Sequence, residues 1–173
     1  MSSLRYSHIE NVAWHNSLPS KHVSATIICW NSAGQILFVL PDFDDYWLLP
    51  GGVVEANESP LKAAIREAKE ETGLELHPKR LHFIGVNYAE SYKEWDDFVH
   101  IYFSAGVLDS KEIAHLGKKS EKLHGMKFLS ESELGAHVPP HRLLVYKKLF
   151  AEGARQGLFI ESRIDKTSEV ELL

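Results

Sequence analysis

Residues 49–74, LPGGVVEANESPLKAAIREAKEETGL, constrain this chain more than any other stretch, because they join a glycine turn to a charged, amphipathic segment. Ser59 can cap an exposed amide and Pro60 suits the first helical position, so this pair predicts the start of a helix. Gly73 can adopt the left-handed conformation that ends a helix. Between them, apolar or small side chains recur every three or four residues and define one buried face: Leu61, Ala64, Ile65, Ala68 and Thr72.

Three carboxylates, Glu67, Glu70 and Glu71, lie on a separate sector of this predicted helix. Like charges at such spacings cost about 0.2–0.5 kcal/mol per pair, so the helix gains no stability from them. We expect Arg66 to pair with Glu70, and Ala63 to share the acidic sector and leave space before the acids. An acidic helix face is usually only solvated, but these three side chains also fit a bound cation.

The ligands offered here are all oxygen atoms, which suit a hard cation such as Mg²⁺, with Mn²⁺ as the second candidate. Mg²⁺ usually takes few protein carboxylates and completes its shell with water and substrate phosphate. Gly51 and Gly52 have no side chains, so their backbone can approach a metal or a phosphate closely. The stretch therefore predicts a site for a divalent metal and a diphosphate.

The spacing of the fixed residues decides between a solvated face and a site. Five residues separate Gly52 from Glu58, seven more precede Arg66, and the chain then continues as EAKEETGL. This pattern resembles the Nudix box, G-x5-E-x7-R-E-U-x-E-E-x-G-U, in which U is a bulky aliphatic residue. Ala68 is the one departure, and it touches no ligand position. The preceding WLLPGG is also similar to the family's usual approach to the box.

The resemblance implies an α/β fold, the α/β/α Nudix sandwich with a mixed central sheet, over residues 22–152. Residues 1–21 would form an N-terminal arm and residues 153–173 a C-terminal extension, which could add an edge element, contact a partner or fray. The periodicity agrees with a sheet: it predicts a hairpin from 23–30 and 35–40, further strands at 81–88, 98–107 and 126–129, and a late helix that begins after two prolines and ends at Gly153.

By the same resemblance, the catalytic residues are Arg66, Glu67, Glu70 and Glu71. Glu70 and Glu71 are the expected metal ligands, Glu67 a ligand or the base, Gly51 or Gly52 a backbone contributor, and Arg66 the group that orients the acids. Glu58 is given a structural role. Nudix enzymes often use one more distant acid, and the charged connection at 108–125, which reads as a mobile loop, offers Glu112 or Glu121.

The implied activity is Mg²⁺-dependent hydrolysis of a diphosphate bond in a nucleoside-diphosphate-linked substrate. The alternative is a non-catalytic Nudix domain that binds a nucleotide-like effector, although no acid of the cluster is missing. An ordinary or oxidised nucleoside triphosphate and a dinucleoside polyphosphate stay open as substrates. ADP-ribose is disfavoured, because Tyr88, Ala89 and Glu90 occupy the region where relatives that hydrolyse it often carry Pro. Phe43, Tyr46 or Trp47 could stack a base, and Trp47 has core packing as its alternative.

Composition narrows the partners and the compartment. The formal net charge is −5 over 173 residues, so there is no basic surface for a nucleic-acid polymer and a small nucleotide is expected. The single Cys29 excludes an intrachain disulfide, and no stretch reaches the roughly 20 apolar residues that span a bilayer. We expect a cytoplasmic protein without membrane contact, and by resemblance a homodimer is an open option.

Overall fold

The computed structural model describes residues 8–90, 97–117, 123–152, 157–164 and 170–172. Within them the chain forms eight strands: β1 (His22–Trp30), β2 (Ile36–Pro41), β3 (Gly51–Val53), β4 (His82–Glu90), β5 (Phe98–Val107), β6 (Leu123–Leu129), β7 (Leu158–Ile164) and β8 (Val170–Leu172). The α-helices of the same residues are α1 (His8–Ser17), α2 (Pro60–Glu67), α3 (Ser110–His115), α4 (Leu134–His137) and α5 (Pro140–Glu152). No helix among them is long and apolar enough to cross a membrane.

All the strands join one mixed sheet, in the order β6-β2-β1-β5-β4-β7-β8, with β3 paired to β1. The pairs β1–β5 and β4–β7 are parallel and the others are antiparallel. Strand β1 changes partner along its length: Ala25 faces Gly52 of β3, whereas Trp30 faces Ile36 of β2. Strands β2 and β3 therefore share one side of β1, and β5 pairs with its other side. The predicted hairpin and the mixed α/β sheet are confirmed.

Both faces of the sheet are buried. One face packs against α2 through a cluster that includes Ala25, Ile27, Leu37, Ala64 and Ala68. The other face packs against α4 and α5 through a second cluster that includes Ile28, Phe38, Tyr102, Tyr146 and Leu149. Burying one large apolar side chain stabilises a fold by about 1.5–3 kcal/mol, so these two clusters hold the three layers together.

The regions outside the predicted domain core contain regular structure. Residues 8–17 of the expected N-terminal arm form α1. Strand β7, in the expected C-terminal extension, pairs in parallel with β4 and buries Ile160 in the second cluster. The sheet therefore continues past residue 152, and adding an edge element is the alternative that the structure supports. The boundaries 1–21, 22–152 and 153–173 stay a prediction.

The expectation of an irregular loop over 108–125 was wrong for its described part, because α3 lies there. Asp109 Oδ1 accepts hydrogen bonds from the amides of Lys111 at 2.8 Å and Glu112 at 2.9 Å. Glu112 Oε2 in turn accepts a hydrogen bond from the Asp109 amide at 2.8 Å. This reciprocal capping box satisfies amides that begin a helix. The candidate Glu121 lies outside the described residues.

Strand β7 approaches β4 closely at Gly85. A Cβ atom placed on Gly85 would lie 2.1 Å from the carbonyl oxygen of Leu158. We predict that Gly85→Ala lowers the free energy of unfolding by about 1–3 kcal/mol, because backbone must shift to admit the methyl group. Urea denaturation measures this change.

Gly135 provides the matched control, because it lies in α4 with no atom within 4 Å of an added Cβ. Gly135→Ala should be neutral or stabilise the protein by up to about 1 kcal/mol, as Ala favours the helix over Gly. Equal stabilities for the two variants would contradict the close packing of β7 on β4.

Candidate active site

The helix that carries the acids begins and ends where the sequence predicts. Ser59 Oγ accepts a hydrogen bond from the Lys62 amide at 3.3 Å, and Pro60 is the first helical residue. After Glu67 the helix continues as a π-helical turn over Ala68–Thr72 and ends at Gly73, which has a φ of 79°. The wider i→i+5 turn changes the directions of the side chains that follow Glu67.

Ala63 does not leave open space in front of the acids, and that expectation was wrong. The residue is completely buried and belongs to the core cluster under α2. A helical wheel places Ala63 and Glu67 in one sector, but it cannot show that β1 and β3 pack against that sector. The small side chain instead lets α2 approach the sheet closely.

Glu71 is the acid most tightly held by the glycine turn. Its Oε2 accepts a hydrogen bond from the Gly51 amide at 2.9 Å. Burial raises the pKa of Glu71 from its ordinary value of 4.5 to about 7. The hydrogen bond from Gly51 opposes this rise, and the negative charges of Glu67 and Glu70 add to it. Near neutral pH, the protein therefore holds a carboxyl group that is only partly ionised.

The second glycine makes room for Glu67. A Cβ atom on Gly52 would lie 2.4 Å from Glu67 Oε1, so any other residue there would displace the end of the Glu67 side chain. Gly51 has a φ of 154°, and a Cβ there would lie 2.4 Å from the carbonyl oxygen of Ala25. Position 51 therefore excludes a side chain, whereas the glycine at position 52 lets Glu67 lie against the turn.

Arg66 forms the expected salt bridge with Glu70, but it binds two other acids more closely. Its Nε and Nη2 atoms each donate to Glu58 at 3.0 Å, and its Nη1 donates to Glu67 Oε1 at 2.6 Å. Glu70 lies 3.6 Å from Nη1, so it is a secondary partner. Hydrogen bonding from Arg66 lowers the pKa of Glu58. Arg66 thus connects the loop before α2 to Glu67 and restricts where that carboxylate can lie.

Glu70 stands apart from the other two acids. Its side chain is 52% exposed, and its contact with Arg66 is the salt bridge described above. The structure thus brings Glu67 and Glu71 to the diglycine turn and places Glu70 at the rim.

The chemistry of the acids fits a hard divalent cation, although the side chains are not gathered around a single point. In the described part of the chain, no three His, Cys, Asp or Glu side chains are already arranged to hold an ion. Nevertheless, Glu58, Glu67 and Glu70 all form salt bridges with the one guanidinium of Arg66, and Glu71 accepts its hydrogen bond from the uncharged Gly51 amide. The raised pKa of Glu71 reflects this uncompensated negative charge together with burial. Oxygen ligands with surplus negative charge suit Mg²⁺ or Mn²⁺.

The distal acid Glu112 does not join this group. It forms a salt bridge with Arg80, whose Nε donates to the carbonyl oxygen of Ala105 at 2.8 Å. Ala105 lies near the end of β5, whereas the glycine turn faces the part of β1 that pairs with Ile101 and Tyr102. Glu112 is thus engaged in the capping box and in this salt bridge, and these contacts hold the start of α3.

A cavity of about 390 Å³ opens beside the glycine turn. Gly51, Gly52 and Glu71 line it, together with polar side chains from β4, β5 and α5: Asn87, His100, Tyr102, Arg142 and Tyr146. The sequence reasoning missed this second group, since its members have no common spacing. Of the predicted stacking residues, Phe43 lines the cavity and is 81% exposed, whereas Trp47 packs against the second core cluster.

His100 is a neutral member of this cavity wall. Its Nδ1 lies 2.6 Å from Ser24 Oγ. Burial lowers the pKa of His100 to about 3, and the positive charges of Arg142 and His141 contribute to this lowering. Arg142 is therefore the permanent cation of the wall, because a guanidinium keeps its proton.

A family model of the NUDIX domain matches residues 20–149. The chain belongs to the NUDIX family. This NUDIX protein is 32% identical over 125 residues to a putative 8-oxo-dGTP diphosphatase from Bacillus subtilis. The match covers 68% of this chain and 72% of the relative. The chain is also 25% identical over 148 residues to an RNA pyrophosphohydrolase from Nitratiruptor, covering 80% and 95% of the two chains.

The fold of this NUDIX protein also matches a solved structure. The MutT protein from Bacillus halodurans superposes with a TM-score of 0.65 at 20% identity, covering 88% of this chain and 94% of that one. Some similarities are local: the matched part covers only 26% and 23% of two other curated relatives. The comparisons confirm the expected family and its α/β fold.

The raised pKa of Glu71 predicts how the stability of the metal-free protein depends on pH. Between pH 4.5 and about 7 the folded protein retains a proton on Glu71 that the unfolded chain releases. Stability contributed through this group therefore falls as pH rises across that window. In a chelator, the melting temperature of wild type minus that of Glu71→Gln should decrease from pH 4.5 to 7.

This subtraction is needed because His100 acts in the opposite direction. Its folded pKa of about 3 lies below the ordinary value of 6.5, so its contribution to stability is lost as pH falls through that range. The contribution is common to both proteins and cancels. Glu131→Gln, at an exposed site, is the matched control and should follow wild type at every pH. A flat difference between wild type and Glu71→Gln would contradict the raised pKa.

Proposed function

We propose that this protein is a pyrophosphohydrolase that uses Mg²⁺ to cleave a diphosphate bond in a nucleoside triphosphate or related nucleotide. The observation that carries the proposal is the placement of Glu71 at the Gly51 amide, on the wall of a nucleotide-sized cavity. Glu67 lies at the same turn, against Gly52. The acids and the cavity therefore adjoin each other, as hydrolysis of a bound diphosphate requires.

The proposed metal ligands are Glu67, Glu70, Glu71 and a backbone oxygen of Gly51 or Gly52, and Mn²⁺ is the alternative to Mg²⁺. A bound divalent cation would neutralise charge on the diphosphate oxygens and lower the pKa of an attacking water. Glu70, being exposed, can turn towards the other two acids without disturbing the core. The two glycines leave space for a phosphate to approach the backbone.

Groups around the turn would hold the carboxylates in position. One of those carboxylates would accept the proton that water releases. Arg66 fixes Glu67 through the 2.6 Å contact between Nη1 and Oε1. The Gly51 amide fixes Glu71 through Oε2 and leaves Oε1 for another partner. As water attacks phosphorus, its oxygen bonds to phosphorus, the anhydride P–O bond breaks and a carboxylate of Glu67 or Glu71 takes the proton. Glu71 lines the cavity and Glu67 lies against Gly52, which also lines it, so both are candidates for the base.

The names of the relatives support the same class of reaction. One relative is named a diphosphatase for 8-oxo-dGTP and another an RNA pyrophosphohydrolase. For this chain we propose a small nucleotide rather than a polymer, because the formal charge is −5. A cytoplasmic location, the absence of a membrane partner and a homodimer belong to the same proposal.

A second function is a non-catalytic domain that binds a nucleotide-like effector. This alternative is less well supported, because Glu67, Glu70 and Glu71 are all present and two of them contact the glycine turn. Release of phosphate or pyrophosphate that depends on Mg²⁺ separates the two functions. A nucleotide that binds without turnover would favour the effector-binding domain.

Glu70→Gln tests the proposed metal site with the least effect on folding, because the side chain is 52% exposed. The change removes one negative ligand and keeps the size of the side chain. We expect Mg²⁺-dependent kcat/KM on the best substrate to fall by about 10²–10³-fold, as loss of transition-state charge stabilisation implies. Phosphate release across a nucleotide panel provides the measurement.

Glu131→Gln is the control, since Glu131 is exposed and belongs to the short 3₁₀ turn before α4. It should retain the wild-type rate and the wild-type melting temperature. If Glu70→Gln hydrolysed its substrate at a near-normal rate, Glu70 would not be a ligand and the proposed metal site would be wrong.

A further inference from the structure

Arg142 is the feature of the cavity that the proposed hydrolysis does not use. This residue lies on α5, is partly buried and lines the same cavity as Glu71. Its Nη1 lies 3.4 Å from Tyr146 Oη, a long contact. In the described ranges of the chain, none of the salt bridges involves Arg142. Asp44 acts on its charge only from beyond salt-bridge distance.

A guanidinium in this position requires an acceptor. It cannot lose its proton, and removing a charge from water is costly unless hydrogen bonds replace the lost solvation. Tyr146 Oη supplies one acceptor at long range, whereas the guanidinium has five N–H groups. A ligand group that offers two neighbouring acceptors would satisfy the planar fork of Arg142.

The neighbouring polar groups are also directed to donate. Asn87 Oδ1 accepts a hydrogen bond from Ser162 Oγ at 3.0 Å, which leaves the Asn87 amide nitrogen as a donor. Tyr102 is buried and lines the same cavity. Tyr146 Oη accepts the long bond from Arg142 and keeps its own proton for donation. The carboxylates among the described lining residues are Glu71 and Glu90, and neither forms a salt bridge with Arg142.

The rest of the cavity is apolar and aromatic. Leu49, Val145 and Phe98 line it, and its volume of about 390 Å³ suits a nucleoside. Such walls would not replace the solvation of a group with several charges, whereas a flat base would pack well against them. The cavity therefore has an acidic end at Glu71, apolar sides and a donor-rich wall at Arg142.

We propose that Arg142 selects nucleotides with a 6-oxopurine base, such as guanine or hypoxanthine, over adenine nucleotides. The base orientation rests on the proposed function, which places the diphosphate at Gly51 and Glu71. The guanidinium would donate to O6 and N7, the pair of acceptors that an arginine fork fits. Adenine presents an amino group instead of O6, and that donor would face the donors of Arg142 and the two tyrosines.

The test compares inosine 5′-diphosphate with adenosine 5′-diphosphate, whose bases differ in the group at position 6. Calorimetric titration in a chelator measures binding without turnover. We expect wild type to bind the inosine compound about 10–100-fold more tightly, the discrimination typical of one bidentate contact. In Arg142→Met this ratio should fall to within about threefold, because the fork is lost.

Two further variants make the result specific. Lys147→Met removes a positive charge from an exposed position on the same helix and should keep the wild-type ratio. Arg142→Lys keeps the charge but loses the fork, so its ratio should be intermediate. Arg142→Lys also replaces Arg142→Met if circular dichroism shows that the methionine variant does not fold.

Equal affinities of wild type for the two diphosphates, or an unchanged ratio in Arg142→Met, would overturn the selection of 6-oxopurines. Weaker binding of inorganic pyrophosphate by Arg142→Met than by Lys147→Met would also overturn it, since Arg142 would then be a phosphate ligand. A selective binding ratio without Mg²⁺-dependent hydrolysis of inosine or guanosine triphosphate would reject the proposed hydrolysis alone. Hydrolysis of inosine and adenosine triphosphates with equal kcat/KM, together with a binding ratio of one, would reject the base selection alone.

Discussion

The contact between the Gly51 amide and the Glu71 carboxylate joins the acidic helix to the sheet, and the arrangement of the site depends on it. Glycine favours this close approach: a Cβ at position 51 would meet the carbonyl oxygen of Ala25, and one at position 52 would displace the end of the Glu67 side chain. The pairing of β3 with β1 fixes the turn, and the buried Ala63 lets α2 pack closely. Glycine and alanine thus let the acidic helix approach the sheet, and this approach brings the acids to the glycine turn.

Bringing the acids close together at a buried position is electrostatically unfavourable for the folded protein. Burial and two neighbouring negative charges raise the pKa of Glu71 to about 7, and the single hydrogen bond from Gly51 opposes that rise only in part. Arg66 neutralises Glu58 and Glu67 more directly than it does Glu70. Acids with too little positive charge nearby destabilise the fold, but they are well suited to bind a cation.

The two ends of the cavity have different origins in the chain. The acidic end comes from one continuous stretch, 49–74, whereas the donor-rich wall combines Asn87 of β4, Tyr102 of β5 and Arg142 of α5. In the proposed function, the continuous stretch serves the hydrolysis itself. The dispersed residues would determine which nucleotide is bound, since changing them leaves the glycine turn and its acids intact.

Sequence alone determined the features that depend on neighbouring residues: the helix from Ser59 to Gly73, the first hairpin and the turn of two glycines, which have no side chains. Their signals are short-range, so a linear pattern contains them. The assignment of Glu67, Glu70 and Glu71 as metal ligands stays a prediction. Only the tertiary structure decided which acid is buried, that Arg66 holds Glu58, and that Arg142 reaches the cavity. Those outcomes depend on packing between elements that lie far apart in the chain, and no local spacing records how a sheet and its helices meet.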